Sequence, residues 1–111
     1  MGVYESAKKL AGDIKESREY KDFKKNMNNI KSNSKYELIL NNHKNLELDI
    51  KTKQLRGIKV DSKTLKLSKD LKKKISANKD LSNYLESEKN FTNMMDKINK
   101  ILASSVYKDY K

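Results

Sequence analysis

The residues predict an all-α protein, and three observations carry that expectation. There is no proline in the 111 residues and only three glycines, too few turn-formers for an all-β fold. The hydrophobic fraction is 35% against 37% charged. Apolar positions used that sparingly suit narrow helical seams better than a sheet buried on both faces. Finally, the stretch from Ser34 to Gly57 places Tyr36, Ile39 or Leu40, His43, Leu46, Ile50 and Lys53 at steps of three or four residues. That spacing lines one face of a helix. A disordered chain would fit the low hydropathy and the charge, but not apolar residues spaced so regularly.

The Ser34 stretch organises the rest. At about 1.5 Å per residue it makes a helix of about 34 Å, too long for so small a chain to surround with one compact core. It calls for neighbouring helices and for a second copy of the chain. The architecture expected is an antiparallel bundle of about five amphipathic helical segments, completed by self-association, in one domain over residues 1–111.

Taken in order, the first helix covers residues 3–16, with Val3 or Tyr4, Ala7, Leu10 or Ala11, and Ile14 on one face. Ser17 reads as the N-cap of a second helix over 18–31, whose stripe is Tyr20, Phe23, Met27 and Ile30. Glu19 in its first turn complements the helix dipole. Ser32-Asn33-Ser34 favours a cap or turn over a helix interior. The third helix then runs over 34–56, and Gly57 supplies a left-handed end. After the connector Ile58-Lys59-Val60, Asp61 and Ser62 are capping residues for a fourth helix over 62–77, striped by Leu65, Leu67 or Ser68, Leu71 and Ile75. Asn78 is a cap for a fifth helix over 79–102, with Leu81, Tyr84 or Leu85, Glu88, Phe91, Met95, Ile98 and Leu102 on its seam. Residues 103–111 lose the pattern and are expected to fray.

Chemistry is sparse. With no cysteine and one histidine, thiolate and multi-His metal sites are excluded, along with disulfides. The isolated glycines form no phosphate-cradling loop. No Glu-x-x-His pair exists, and no serine sits in a nucleophile elbow. No enzyme and no cofactor are expected. Charged residues interrupt the first twenty positions, and no apolar run is long enough for a bilayer, so the reading is cytoplasmic.

Two polar residues, His43 and Glu88, fall on apolar seams. They suit a proton-transfer or metal pair, but a hydrogen-bonded structural pair, or two edge residues reaching water, is the better reading for a lone histidine. Tyr36, Ile39, Leu46 and Ile50, with Tyr84, Phe91, Met95 and Ile98, are the candidates for packing between helices or subunits. Lys plus Arg number 26 against 15 Asp plus Glu, a net charge of +11. Lys72, Lys73 and Lys74 form the densest basic run and the candidate nucleic-acid contact. Only Arg18 and Arg56 are arginine, while twelve residues are asparagine. That bias matches an A- and T-rich coding preference, and a dedicated phosphate reader more often concentrates Arg and interleaves aromatics.

Four segments, in order, resemble the YlbF/YmcA/YheA family of small bacterial helical proteins: Tyr4-x-x-Ala7-x-x-Leu10-Ala11, Glu16-Ser17-Arg18-Glu19-Tyr20, Lys53-Gln54-Leu55-Arg56-Gly57 and Tyr84-Leu85-Glu86-Ser87-Glu88. Arg18, Ser34 and Lys79 stand near positions where relatives often carry proline. The resemblance implies a self-associating helical protein from a low-GC Gram-positive bacterium. Two branches of that family act with a third protein on competence, sporulation and biofilm formation, linked to the ribonuclease that begins mRNA decay and to cysteine-ligated iron–sulfur clusters. A chain without cysteine cannot supply those ligands and is most similar to the YheA-like branch. The function expected is therefore a homo-oligomeric adaptor that binds another cytoplasmic protein, with direct RNA or DNA binding through lysine-rich helix faces as the alternative.

Overall fold

Each helix begins or ends where a side chain can satisfy the free amides and carbonyls of its terminal turns. The computed structural model describes residues 2–110 and contains five α-helices, with no strand among the described residues. They are α1 (Val3–Glu16), α2 (Arg18–Lys31), α3 (Ser34–Leu55), α4 (Ser62–Ala77) and α5 (Lys79–Val106), followed by a 3-10 turn at Tyr107–Tyr110.

The break between α1 and α2 is one residue wide. Ser17 is extended (φ −69°, ψ 151°). Its hydroxyl accepts from the Tyr20 amide at 3.2 Å and donates to the Ile14 carbonyl. One side chain thus ends α1 and starts α2. Asn33 starts α3, its Oδ1 accepting from the amides of Lys35 and Tyr36, while its backbone N–H donates back to the Ile30 carbonyl at 3.0 Å. Asp61 caps α4 through a 2.7 Å bond from the Thr64 amide. Hydrogen bonds from Thr64 hold the Asp61 carboxyl below its usual range.

At the far end of α3 the chain turns through Gly57, whose φ of 69° is open to glycine at no steric cost. Ile58 N–H reaches back to the Lys53 carbonyl at 2.8 Å and Gly57 N–H to that of Gln54 at 3.2 Å, the paired bonds of a Schellman end. The helix therefore stops at Leu55, one residue before the expected 56, with Arg56 as its C-cap. Asn78 makes the α4–α5 junction a true break rather than a bend. It is extended (φ −109°, ψ 119°), and its Oδ1 accepts from the Leu81 amide at 3.1 Å.

The expectation of a frayed tail from residue 103 is corrected. Helix α5 continues through Ala103, Ser104, Ser105 and Val106 before tightening to 3-10 geometry. The seam pattern fades there, but nothing in those residues breaks a helix, and the Ser104 hydroxyl bonds back to the Ile101 carbonyl. Lys111 lies outside the described residues.

The chain divides into two compact units, with boundaries inside α2 after Met27 and inside α5 before Tyr84. The first unit takes α1, most of α2 and α5 from Tyr84 onward. Its apolar centre is aromatic: Phe23 and Phe91 stack at 5.2 Å, Tyr20 meets Phe91 edge-on at 5.9 Å, and Tyr84 lies 5.8 Å from Phe23. The second unit spans residues 28–83 and pairs α3 with α4 as an antiparallel hairpin. Ile30, Ile75 and Leu81 are buried within it.

The α4 stripe is also sharper than its leucines suggest. Thr64, Ser68, Leu71 and Ile75 point inward, whereas Leu65 and Leu67 flank them and stay about half exposed. Successive helical residues are rotated by about a quarter-turn, so a face centred on Ser68 leaves both leucines at its margins.

Replacing Asn78 by Ala should remove the cap on α5 and cost about 1 kcal/mol of stability. Urea unfolding would show a lower midpoint with an unchanged slope; an unchanged midpoint would mean the junction is held by packing alone.

Candidate interaction surface

In the second unit, the face between α3 and α4 is tied together by one carboxylate oxygen. Glu47 Oε1 accepts from the Ser68 hydroxyl at 3.1 Å, lies 3.4 Å from Lys72 Nζ, and lies 3.9 Å from His43 Nε2 on its own helix. Ser68 is buried, so this bond gives its hydroxyl a partner it could not find in water. The three residues Ser68, His43 and Glu47 do not form a nucleophilic triad. The serine proton goes to the carboxylate rather than to the imidazole, so no base is set to activate the hydroxyl. Among the described residues no group of three or more His, Cys, Asp or Glu side chains could hold a metal. What this cluster does is lock the register of the hairpin.

Beside it, on one flank of the hairpin, runs an open groove of about 530 Å³. Leu46, Leu67 and Leu71 form its floor. Asn42, Asn45 and Asp49 edge it along α3, and Asp70 and Lys74 along α4. The Asp49 carboxylate also holds Lys53 at 3.2 Å. The groove combines an apolar floor with both charge signs at its rim, the composition of a helix-binding face rather than of a small polar-substrate site.

In the first unit, Tyr84 donates to Glu88 Oε2 at 3.0 Å. Burial, then the neighbouring carboxylate and the hydrogen bond to it, push the Tyr84 phenol up to about 12. Ser87 is buried and donates to the Tyr84 carbonyl at 2.9 Å.

The candidate residues fall into these places. Tyr36, Ile39, Leu46, Ile50, Tyr84, Phe91, Met95 and Ile98 are all half-buried. Tyr84 and Phe91 join the aromatic cluster, while Leu46 floors the groove. His43 and Glu88 belong to different units, and each finds its partner one turn away on its own helix, Glu47 and Tyr84. Lys72, Lys73 and Lys74 are exposed. Lys72 lies against Glu47 and Lys74 on the groove rim. Sequence reasoning passed over Glu47 and, apart from Lys74, the groove rim, and offered Ser68 only as an alternative to Leu67 on the α4 stripe. Glu47 stands one turn after His43 and could have been found by that spacing. The rim depends on which α4 residue lies level with which α3 residue, and periodicity does not carry that.

The family model described as Control of competence regulator ComK, YlbF/YmcA, matches residues 3–107. The fold is similar to a solved structure described as a Protein of Unknown Function (DUF964) from Bacillus stearothermophilus. That similarity has a TM-score of 0.75 and 14% identity, covering 98% of this chain and 96% of that one. At that identity the likeness is one of fold. No curated protein matches the chain. No described helix is long and apolar enough to cross a membrane.

Two measurements follow from the polar contacts. Between pH 10, the ordinary tyrosine value, and about 12, the unfolded chain releases the Tyr84 proton while the folded chain keeps it. The stabilisation is complete below that window and is lost as pH rises through it. Wild type should therefore lose stability relative to Tyr84→Phe across that window, and tyrosinate absorbance should lose its highest-pH component in the variant. Glu47→Ala should strand the buried Ser68 hydroxyl and cost about 1 kcal/mol. Adding Ser68→Ala should recover part of that cost in a double-mutant cycle; additive effects would mean the two do not couple.

Proposed function

The chain belongs to the YlbF/YmcA family, and from that premise we propose that it acts as a non-enzymatic, self-associating adaptor of the cytoplasm. Its role is regulatory, of the kind named in the family's description, control of the competence regulator ComK. The observation that carries this reading is the open, leucine-floored groove between α3 and α4. An apolar face of that kind on a soluble helix pair marks a contact surface. Further large apolar side chains are exposed in both units, among them Val3, Tyr4, Ile101 and Leu102 in the first and Leu38 and Leu48 in the second.

The lack of cysteine supports a function without iron–sulfur ligation, as in the YheA-like branch. The adaptor works by presenting helix faces: one side of a helix seals the chain's own core and the other is offered to a partner. Catalysis has no support, because the polar cluster at Glu47 commits its hydroxyl and its cations to one carboxylate.

Affinity capture of the tagged chain at physiological salt, with and without nuclease, tests this reading against the nucleic-acid alternative. The adaptor predicts a defined protein partner that survives nuclease and a complex whose mass exceeds one chain. Material lost with nuclease, with affinity falling steeply as salt rises, would make the lysines the working surface and overturn the proposal.

A further inference from the structure

The two banks of the α3–α4 groove differ in charge, and that difference describes its occupant. We propose that the groove takes an acidic amphipathic helix of a different protein, its apolar stripe on the leucine floor and its carboxylates toward α4. This rests on the adaptor reading above and names the chemistry of the partner.

The floor sets the length and the apolar pattern. Leu46, Leu67 and Leu71 line it, and Leu67 is 53% exposed, so apolar surface stands in water that a partner would cover. The lining runs from Asn42 to Asp49 on α3 and from Leu67 to Lys74 on α4, about two helical turns or about 10 Å on each side. A helix with apolar residues at i, i+3 or i+4, and i+7 covers that length. Among the described residues that line the groove there is no aromatic ring, so it lacks a platform on which unpaired bases stack.

The banks set the charge. On α3, Asn42 and Asn45 are neutral, with amides that can donate to a carboxylate, and Asp49 is matched by Lys53 at 3.2 Å. On α4, Lys74 shares the rim with Asp70. Lys66 and Lys73, both exposed, lie one turn before and one turn after Asp70. Among the described residues, none of Lys66, Lys73 and Lys74 is ion-paired to a carboxylate. Three ammonium groups against one carboxylate leave this bank at +2. Lys72, by contrast, is committed to Glu47 across the hairpin. The +11 charge of the whole chain also draws an acidic segment in from a distance and speeds its encounter. A basic helix on the same floor would set cation against cation along α4.

Two synthetic peptides of about 18 residues, long enough to form a helix, test this on the full-length protein. They share one leucine stripe and carry either glutamate or lysine along its edges, and binding is read by fluorescence anisotropy. The glutamate peptide should bind roughly tenfold or more tightly than the lysine peptide, an advantage that shrinks as salt rises. Leu67→Asn should weaken that binding with helicity unchanged, since the side chain is already half exposed. Lys73→Glu with Lys74→Glu should weaken it roughly tenfold or more. Lys24→Glu with Lys25→Glu, the same charge change at exposed positions of α2 in the first unit, should leave it within about twofold. Equal binding of both peptides overturns the acidic partner and leaves the adaptor reading standing on the groove. Binding that falls equally with either lysine pair and ignores Leu67→Asn is attraction to net charge alone and overturns the inference. So does a single-stranded RNA that binds more tightly than the glutamate peptide through Lys73 and Lys74, or an assembly whose mass falls on Leu67→Asn, which would give the groove to a second copy. If neither peptide binds while affinity capture still returns a protein partner, the inference falls and the adaptor works through another face. If capture returns none, both readings fall.

Discussion

A narrow apolar stripe on each helix is the constraint on which everything else in this protein rests. Three hydrophobic side chains, Ile30, Ile75 and Leu81, are buried among the described residues. Most of the remaining seam residues from Tyr20 to Ile98 are half-covered, and those of α1 and the end of α5, such as Val3, Tyr4 and Leu102, are exposed. Burial contributes about 25 cal/mol per Å² of apolar surface removed from water, so half-covered seams leave part of that driving force unspent within the chain. Helices with one narrow stripe can close a small core but cannot enclose each other. Part of the apolar surface left over lines the groove between α3 and α4.

The two units solve this shortage differently. The first concentrates large flat side chains, with Tyr20, Phe23, Tyr84 and Phe91 in mutual ring contact, where area per residue is greatest. The second uses smaller residues and a polar clasp. A serine at the centre of the α4 stripe lets α3 and α4 approach, and Glu47 satisfies the hydroxyl brought inside by that approach. The same clasp fixes the hairpin's register, and that register decides which rim residues of the groove stand level with one another. Core and surface are linked through this one carboxylate.

The fold was largely legible in the sequence because its punctuation is local. Ser17, Asn33, Asp61 and Asn78 act on amides two or three residues ahead, and Gly57 ends α3 through bonds to residues just behind it. The length of α5 was misread from the same local cues. Loss of the seam pattern after Leu102 signals an uncovered helix, not an ended one, and no breaker follows. The surface was less legible. Leu46 could be placed on a face by its spacing, but its neighbours across the groove, Leu67 and Lys74, come from a helix whose register depends on Glu47 meeting Ser68 and Lys72. A histidine on the α3 seam drew attention, while the glutamate one turn away held the contacts.

The one-residue corners also bear on how fast the protein can assemble. At Ser17 and at Asn78 one helix gives way to the next at a single residue held by a side-chain cap. With no proline anywhere in the chain, no step waits tens of seconds for a peptide bond to isomerise. Each corner forms as quickly as the helices it joins, in about a microsecond for a segment of this size. The time to reach the folded state is then set by docking of the helices.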